Sequence, residues 1–376
     1  MKNTLIILMF FIGLANLNAQ TEALSLNDAI TFAKKNNVNI KNAKLDEQTA
    51  KQEVKGVTSM GLPQINANGS FTHNLDIATQ LLPAEFMGGT PGTYVPVQFG
   101  VDYIANGSLG LRQLIFDGTF FLGLKAAKQY QEVSRLATEK TEQEVQISTS
   151  QAYYQVLLVD KNYDLLLKSL ENTTKLYNET NAMYEEGIVE KLDVDRLKLG
   201  VNQMQTMIDN LKNQKKVVRQ LLNMQMGRDV TTEFELADNI ESVKATLTET
   251  QEPGNLNGLI DYKMLSQQLV LDSLNIKRYK VGRLPSVNFN FSHAQMGQNN
   301  DLSELTKTWF PSTMYSVNVN LPLFDGFKRR SDISKAKIAK LTTENNLKEL
   351  SNGLLMIVLF HLKQLYPKIL RAKTMG

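Results

Sequence analysis

Few residues of this 376-residue chain belong to the types that carry catalysis or bind metal ions. There is no cysteine, which excludes disulfide bonds, thiolate metal sites and a cysteine nucleophile. Of the three histidines, His73 and His293 stand at matching places in two similar segments, and the third is His361. This repetition favours a shared structural position over a metal site. Asp193 and Asp195 can bind a cation, but a solvated helix start explains the Asp-Val-Asp sequence better.

Cofactor and nucleic-acid sites are not indicated by the sequence either. No glycine-rich phosphate loop follows a predicted strand. The formal net charge of +3 provides no strong field that would attract nucleic acid. We therefore predict that the protein is not an enzyme and has no catalytic residues, no metal, no cofactor and no nucleic-acid partner. Its function has to come from its architecture.

The sequence Phe-Asp-Gly occurs twice in the same context. In each copy an alternating stretch leads into the triplet, and a long helical pattern follows it. Aspartate is a good helix N-cap, and glycine adopts unusual backbone torsions. We predict that each triplet is a structural junction between a strand and a helix rather than a catalytic site. The two copies consist of Phe116, Asp117, Gly118, Phe324, Asp325 and Gly326.

Four stretches alternate between apolar and polar residues with a period of two, at residues 62–74, 101–113, 284–293 and 315–324. Each has about the length of a tilted membrane strand, and the alternation is typical of a membrane barrel with an apolar outside and a polar inside. A soluble sandwich also alternates, and the pattern alone does not exclude it. In a membrane barrel the lipid-facing residues would be Ile65, Phe71, Val287, Phe289, Phe291, Val317 and Val319.

Long helices are predicted between the two pairs of strands, because no proline lies between residues 97 and 252. Apolar residues recur at spacings of three and four from Ala152 to Leu170 and again from Val194 to Leu222, with Lys215 at a skipped position. This spacing predicts the seams of two coiled-coil helices. Gly187 is placed to end the first helix, which would be on the order of 100 Å long. An earlier stretch, residues 24–56, is predicted to form one helix.

Residues 1–19 are predicted to be a signal peptide. Lys2 precedes an apolar run of roughly ten residues, which suits a signal-peptide core and is too short to span a bilayer. The alternative is a buried N-terminal strand or helix. No later stretch reaches the ~20 apolar residues of a spanning helix, so strands would have to place the protein in a membrane.

The remainder is predicted to be two copies of one plan. Residues 20–250 form a first helix-strand-strand-helix repeat with a complete helical hairpin, and residues 251–376 form a second repeat that is incomplete at its C-terminal end. Four strands do not close a barrel alone, because small closed barrels begin at about eight strands. Since open sheet edges are not tolerated in lipid, several copies of the chain would have to share one barrel.

These features together resemble the TolC-type outer-membrane efflux protein family. The resemblance is carried by LSLNDAITFAKKNN at the predicted mature start, by the paired strands LPQINANGSF and LPSVNFNFS, by the two Phe-Asp-Gly junctions and by YEEGIVEKLDVDRLK. It covers roughly residues 24–353. The resemblance implies a mixed, mainly α fold, in which long antiparallel coiled-coil hairpins form a periplasmic tunnel and four β-strands join a trimeric outer-membrane β-barrel.

The resemblance also implies partners for the homotrimer: outer-membrane lipid, a periplasmic adaptor (membrane fusion) protein and an inner-membrane pump. The adaptor would dock at the periplasmic tip, which corresponds to Gly187, Ile188, Val189, Leu192, Asp193 and Val194. The implied function is a passive exit duct in a tripartite efflux or type I secretion system. The alternative is an exported coiled-coil structural or adaptor protein without channel activity. The cargo, whether drug, metal or protein, stays open.

One part of the chain departs from the family pattern. The second hairpin that the family places after Gly326 is not recognisable, and an apolar cluster at residues 354–360 replaces the expected polar helix. We expect from this that the sequence is truncated or frameshifted, and that this short chain would be unstable or would trimerise poorly.

Overall fold

Helices and strands follow one another in two similar series. The computed structural model describes residues 23–240 and 258–374. The first series contains β1 (Ala23–Leu24), α1 (Leu26–Asn36), α2 (Val38–Ser59), β2 (Gln64–His73), β3 (Thr79–Pro83), β4 (Tyr94–Gln98), β5 (Tyr103–Phe116), α3 (Gly118–Glu185), α4 (Lys191–Met226) and β6 (Glu235–Leu236). The second contains α5 (Ile260–Val281), β7 (Ser286–Asn299), β8 (Phe310–Asn320) and α6 (Lys328–Thr374).

The chain divides into two compact units. One takes residues 1–47 and 134–261, and the other takes residues 48–133 and 262–376. Among the described residues, no helix combines the length and the apolar character that crossing a bilayer requires. The predicted signal peptide and the predicted repeat boundary at residues 250–251 lie outside the described residues.

The first unit is built on α1, the start of α2, most of α3 and all of α4. Its core is made of apolar side chains from these helices and from the segments at either end of the unit, and includes Ile40, Val156, Leu222, Met226 and Phe234. Helix α1 begins with the capping box of Ser25 and Asp28. Strand β1 pairs in parallel with β6. The core therefore ties the start of the described chain to the segment that follows α4.

The prediction of one helix over residues 24–56 is wrong, because the helix is interrupted at Asn37, between α1 and α2. Its backbone has ψ of 134°, and its side-chain amide donates to the Gln225 carbonyl oxygen at 2.7 Å. The amide oxygen accepts from the Asn39 N–H at 2.8 Å and so caps α2. The backbone of Gly227 packs closely here, since a Cβ atom on it would lie 2.6 Å from the Asn36 carbonyl oxygen.

The two coiled-coil seams are confirmed. Val156 on α3 and Leu222 on α4 have no exposed side-chain surface, and Val194 and Ile208 are buried as well. Lys215, at the skipped position, has its Nζ 3.1 Å from a carboxylate oxygen of Asp160 and lies over the ring of Tyr163. A charge is tolerated in the seam because it has a partner there.

The second unit contains the four predicted strands, which are confirmed as one antiparallel sheet in the order β2-β5-β7-β8. A β-bulge between Leu114 and Phe116 interrupts the pairing of β5 with β7. Strands β3 and β4 form a separate antiparallel hairpin between β2 and β5, where the sequence is rich in glycine and proline. The outer strands β2 and β8 each have one neighbour within the described sheet.

Candidate functional site

The turn between α3 and α4 is closed by a glycine in the left-handed conformation. Gly187 has φ of 76° and donates its N–H to the Tyr184 carbonyl oxygen at 2.9 Å. The next N–H, of Ile188, donates to the Met183 carbonyl oxygen at 2.9 Å. This pair of bonds satisfies the last carbonyls of α3 and directs the chain into α4. A residue with a Cβ atom would be strained at this φ.

Apolar side chains are exposed around this turn. Ile188 is 66% exposed and Leu192 is 53% exposed, whereas Val194 is buried in the seam between the helices. Met183 and Tyr184, in the last turn of α3, are also exposed. We call Met183, Tyr184, Ile188 and Leu192 the tip patch. The sequence analysis included Ile188 and Leu192 and missed the other two, although they precede Gly187 by one helical turn.

The charges around the tip patch are predominantly negative. The acidic side chains are exposed and outnumber the basic ones, Lys191 and Arg196, by five to two. Asp193 lies in the first turn of α4, where a carboxylate is favoured by the helix dipole, and 3.7 Å from Arg196. The surface is therefore apolar at its centre and acidic at its margin. The acidic residues are Glu185, Glu186, Glu190, Asp193 and Asp195.

The register of the sheet places all predicted lipid-facing residues on one face. Residues that pair across an antiparallel ladder project to the same side. Ile65 pairs with Leu111, which pairs with Phe291, which pairs with Tyr315. Two rows of this face contain the pairs Val287 with Val319 and Phe289 with Val317, and Phe71 belongs to it by alternation. Ile65, Phe71, Val317 and Val319 are each more than half exposed. The sheet thus presents a mainly apolar surface, interrupted by Gln113, which pairs with Phe289.

The opposite face of the sheet is mainly polar. Asn66 and Asn68 of β2, Asn290 and Ser292 of β7, and Asn318 of β8 belong to it by the same alternation. These side chains are small and uncharged, and they can hydrogen-bond to water. A sheet with one apolar and one polar face has the chemical character of a wall between lipid and an aqueous space.

The two Phe-Asp-Gly triplets connect a strand to a helix in different ways. At the first, Asp117 Oδ1 accepts from the N–H and from the hydroxyl of Thr119, both at 2.7 Å, and caps α3. Gly118 packs so closely that an added Cβ would overlap Cγ1 of Val281. At the second, Gly326 has φ of 61° and Phe327 has φ of 65°. Two successive left-handed residues turn the chain before α6 begins.

Within the described ranges, no group of three or more His, Asp or Glu side chains is arranged to hold a metal ion. His73 stacks on Tyr103, with ring centroids 4.4 Å apart, and the His293 ring hydrogen-bonds with the Thr313 hydroxyl at 2.8 Å. Both histidines project from the apolar face of the sheet by alternation. Each has a neighbour that accounts for its position.

A family model described as "Outer membrane efflux protein" matches residues 29–227. In sequence, no curated relative matches the chain. Among solved structures, CusC resembles it with a TM-score of 0.69 and 16% identity, over 93% of this chain and 78% of that one. The CmeC outer membrane channel of Campylobacter jejuni has a TM-score of 0.69 and 17% identity, over 87% of this chain and 68% of its own. VceC of Vibrio cholerae has a TM-score of 0.66 and 13% identity, over 88% and 75%. At these identities the structures show a shared fold.

Proposed function

We propose that three copies of this chain, which belongs to the outer membrane efflux protein family, form one exit duct. We also propose that an adaptor docks at the turn between α3 and α4. The family assignment makes the protein an outer-membrane efflux channel component that extends into the periplasm. The observation that carries the proposal is the four-stranded sheet, which has one apolar face, one polar face and two open edges.

The open edges of the sheet support assembly from several copies. Unpaired backbone groups at β2 and β8 would be costly in lipid, so each edge needs a partner strand. Because the sheet has four antiparallel strands, β2 and β8 run in opposite directions. The β8 edge of one copy can therefore pair in antiparallel fashion with the β2 edge of the next. Two copies would give an eight-stranded barrel, in which side chains fill the interior. Three copies would give a twelve-stranded barrel with room for a lumen.

The two faces determine how such a barrel would be oriented. The face with Ile65, Phe71 and Phe291 faces lipid, and the face with Asn66 and Asn290 lines the water-filled lumen. A reversed arrangement would bury a row of amide groups in hydrocarbon at a large cost in free energy.

The tip patch is the proposed docking surface for a periplasmic adaptor. An interface centred on exposed Ile188 and Leu192 buries apolar area, and the acidic margin favours a partner with basic side chains at its rim. An inner-membrane pump would act through that adaptor. The remaining tip residues serve the turn itself, with Gly187 setting its direction and Val194 closing the seam beneath it.

Assembly can be tested by gel migration of outer-membrane fractions. We expect a band of trimer size in unheated samples that collapses to the monomer on boiling, and a band that is faint would fit the poor trimerisation expected from the unrecognisable second hairpin. A protein that is found only as a monomer in the soluble periplasmic fraction would contradict the channel and favour an exported coiled-coil structural protein.

Docking can be tested by crosslinking, because the chain has no native cysteine. We expect a bifunctional thiol-amine reagent on Ile188→Cys to capture the adaptor in cells. Met207→Cys is the matched control, since Met207 is exposed on α4 away from the turn. Equal capture from both positions, or capture from Met207→Cys alone, would contradict docking at the tip.

A further inference from the structure

Strands β2, β5, β7 and β8 together contain one residue with a full formal charge, Arg112. The register places Arg112 opposite Gln64 on one side and opposite Asn290 on the other, and Asn290 pairs with Ser316. This row belongs to the polar face. A guanidinium group thus projects from the proposed lumen wall in a row of uncharged side chains.

The neighbours of Arg112 leave its charge uncompensated. The side chain is exposed, and it takes part in no ion pair or side-chain hydrogen bond within the described residues. One of its two partners across the ladder, Gln64, uses its amide nitrogen to donate to the Ser59 and Leu62 carbonyl oxygens. Gly110, which lies two residues along the strand on the same face, has no side chain. The strands carry no carboxylate that could neutralise the guanidinium.

We propose that Arg112 makes the barrel lumen selective for anionic solutes. The inference rests on the proposed trimeric channel, in which three copies put three guanidinium groups at one height of the lumen. Rings of arginine are used for anion selectivity in pores, and low-dielectric walls concentrate their field. The class of solute favoured is one that bears carboxylate or phosphate groups, which the planar guanidinium can bind through two hydrogen bonds.

Reversal potentials in planar bilayers under a KCl gradient test the selectivity. Three charges about 10 Å from the axis should favour chloride over potassium roughly fivefold at low salt, and less at high salt. We expect Arg112→Gln to lose this preference and Arg112→Lys to retain most of it. Lys216→Gln is the control, because it removes an exposed positive charge from α4 instead of from the sheet. A permeability ratio that is the same in Arg112→Gln as in the unmodified protein would overturn the proposal.

A second measurement reads the local field without ion conduction. Asn66→Cys puts a thiol on the polar face, diagonal to Arg112, since Asn66 pairs with Gly110. The quantity measured is the ratio of the thiol's reaction rate with an anionic methanethiosulfonate to its rate with a cationic one. We expect this ratio to fall roughly threefold when Arg112→Gln is added. Thr72→Cys is exposed on the same face of the same strand, beyond a Debye length, and should not change.

The two readouts separate this inference from the proposed channel. The inference alone is contradicted if the protein conducts but Arg112→Gln changes neither its permeability ratio nor the thiol reactivity of the Asn66→Cys variant. A protein that never conducts, yet shows the expected change in the reactivity of that thiol, contradicts the channel and leaves Arg112 as the source of the local anion preference.

Discussion

The Tyr153 hydroxyl lies 2.8 Å from a carboxylate oxygen of Asp238 and 2.9 Å from the Leu24 carbonyl oxygen. The same carboxylate oxygen accepts the Leu26 N–H at 2.8 Å. Tyr153 is fully buried on α3, whereas its partners come from the start of the described chain and from the segment after β6. This hydroxyl therefore connects three parts of the first unit that are far apart in sequence.

Replacing Tyr153 by phenylalanine should loosen this connection. Tyr153→Phe removes the hydroxyl donor from the partly buried Asp238 carboxylate and the Leu24 carbonyl oxygen, and loss of such a hydrogen bond costs about 1 kcal/mol. We expect hydrogen exchange at the Leu26 and Ala237 amides to speed up accordingly. Tyr154→Phe is the control, because Tyr154 is half-buried beside the same core. Equal acceleration in both variants would show that the hydrogen bond to Asp238 is not what holds the segments.

Stability should also fall at high pH. Burial, followed by the hydrogen bond to Asp238, raises the pKa of Tyr153 above its usual value. In the unfolded chain this group loses its proton near pH 10, while the folded state keeps it, so folding becomes less favourable as pH rises above about 10. We expect the thermal midpoint of Tyr153→Phe to depend less on pH between about 10 and 12 than that of Tyr154→Phe. Parallel pH profiles would contradict this assignment.

At the first junction, an alanine at Gly118 should be tolerated only if Val281 is made smaller. The Cβ atom would overlap Cγ1 of Val281, and overpacking of this kind costs about 1–3 kcal/mol. Gly118→Ala should therefore reduce the unfolding free energy of the second unit. Combining it with Val281→Ala should cost less than the sum of the two single changes, measured as a double-mutant cycle.

The second junction provides the matched control for that cycle. Gly326 has φ of 61°, and a Cβ there would meet nothing within 4 Å. The cost of Gly326→Ala should come from backbone strain alone, about 1 kcal/mol. We expect it to be additive with Val281→Ala. Non-additivity at Gly326, or additivity at Gly118, would contradict the structural difference between the two copies.

Much of this fold follows from periodicity in the sequence. A period of two marks the four strands of the sheet, and spacings of three and four mark the seams of α3 and α4. Both patterns are local, and burial on one face is enough to explain them. The break at Asn37 is different. It depends on a bond to Gln225, 188 residues away, and on the close approach of Gly227, so local propensity favours a continuous helix.

In the candidate sites too, some features follow from the local sequence and others depend on residues that are distant in sequence. The turn at Gly187 can be predicted, because glycine is preferred where a helix ends in the left-handed conformation. The exposure of Met183 and Tyr184 beside it depends on which side of the hairpin stays uncovered. Two identical Phe-Asp-Gly triplets have different geometries: Gly118 lies in α3 against Val281, whereas Gly326 has φ of 61° and open space around it. This difference cannot be predicted from the triplet sequence alone.

The two faces of the sheet should respond in opposite ways to a new charge. Phe291→Arg places a guanidinium on the apolar face and should cost about 2–4 kcal/mol near the middle of a bilayer. Ser292→Arg places the same group on the polar face, opposite Gly110, where water would keep it solvated. Ser292 lies diagonal to Arg112, which pairs with Asn290, so the added repulsion is smaller than for a directly opposed pair and acts between two exposed, solvated charges.

The yield of assembled protein in outer-membrane fractions measures this difference. We expect Phe291→Arg to reduce the unheated trimer band strongly and Ser292→Arg to leave it nearly unchanged. The two residues are neighbours on β7, so depth in the membrane and strand position are matched, and the face of the sheet is the main structural difference between them. Equal yields would show that the sheet does not separate lipid from water. A loss confined to Ser292→Arg would mean that its orientation is reversed.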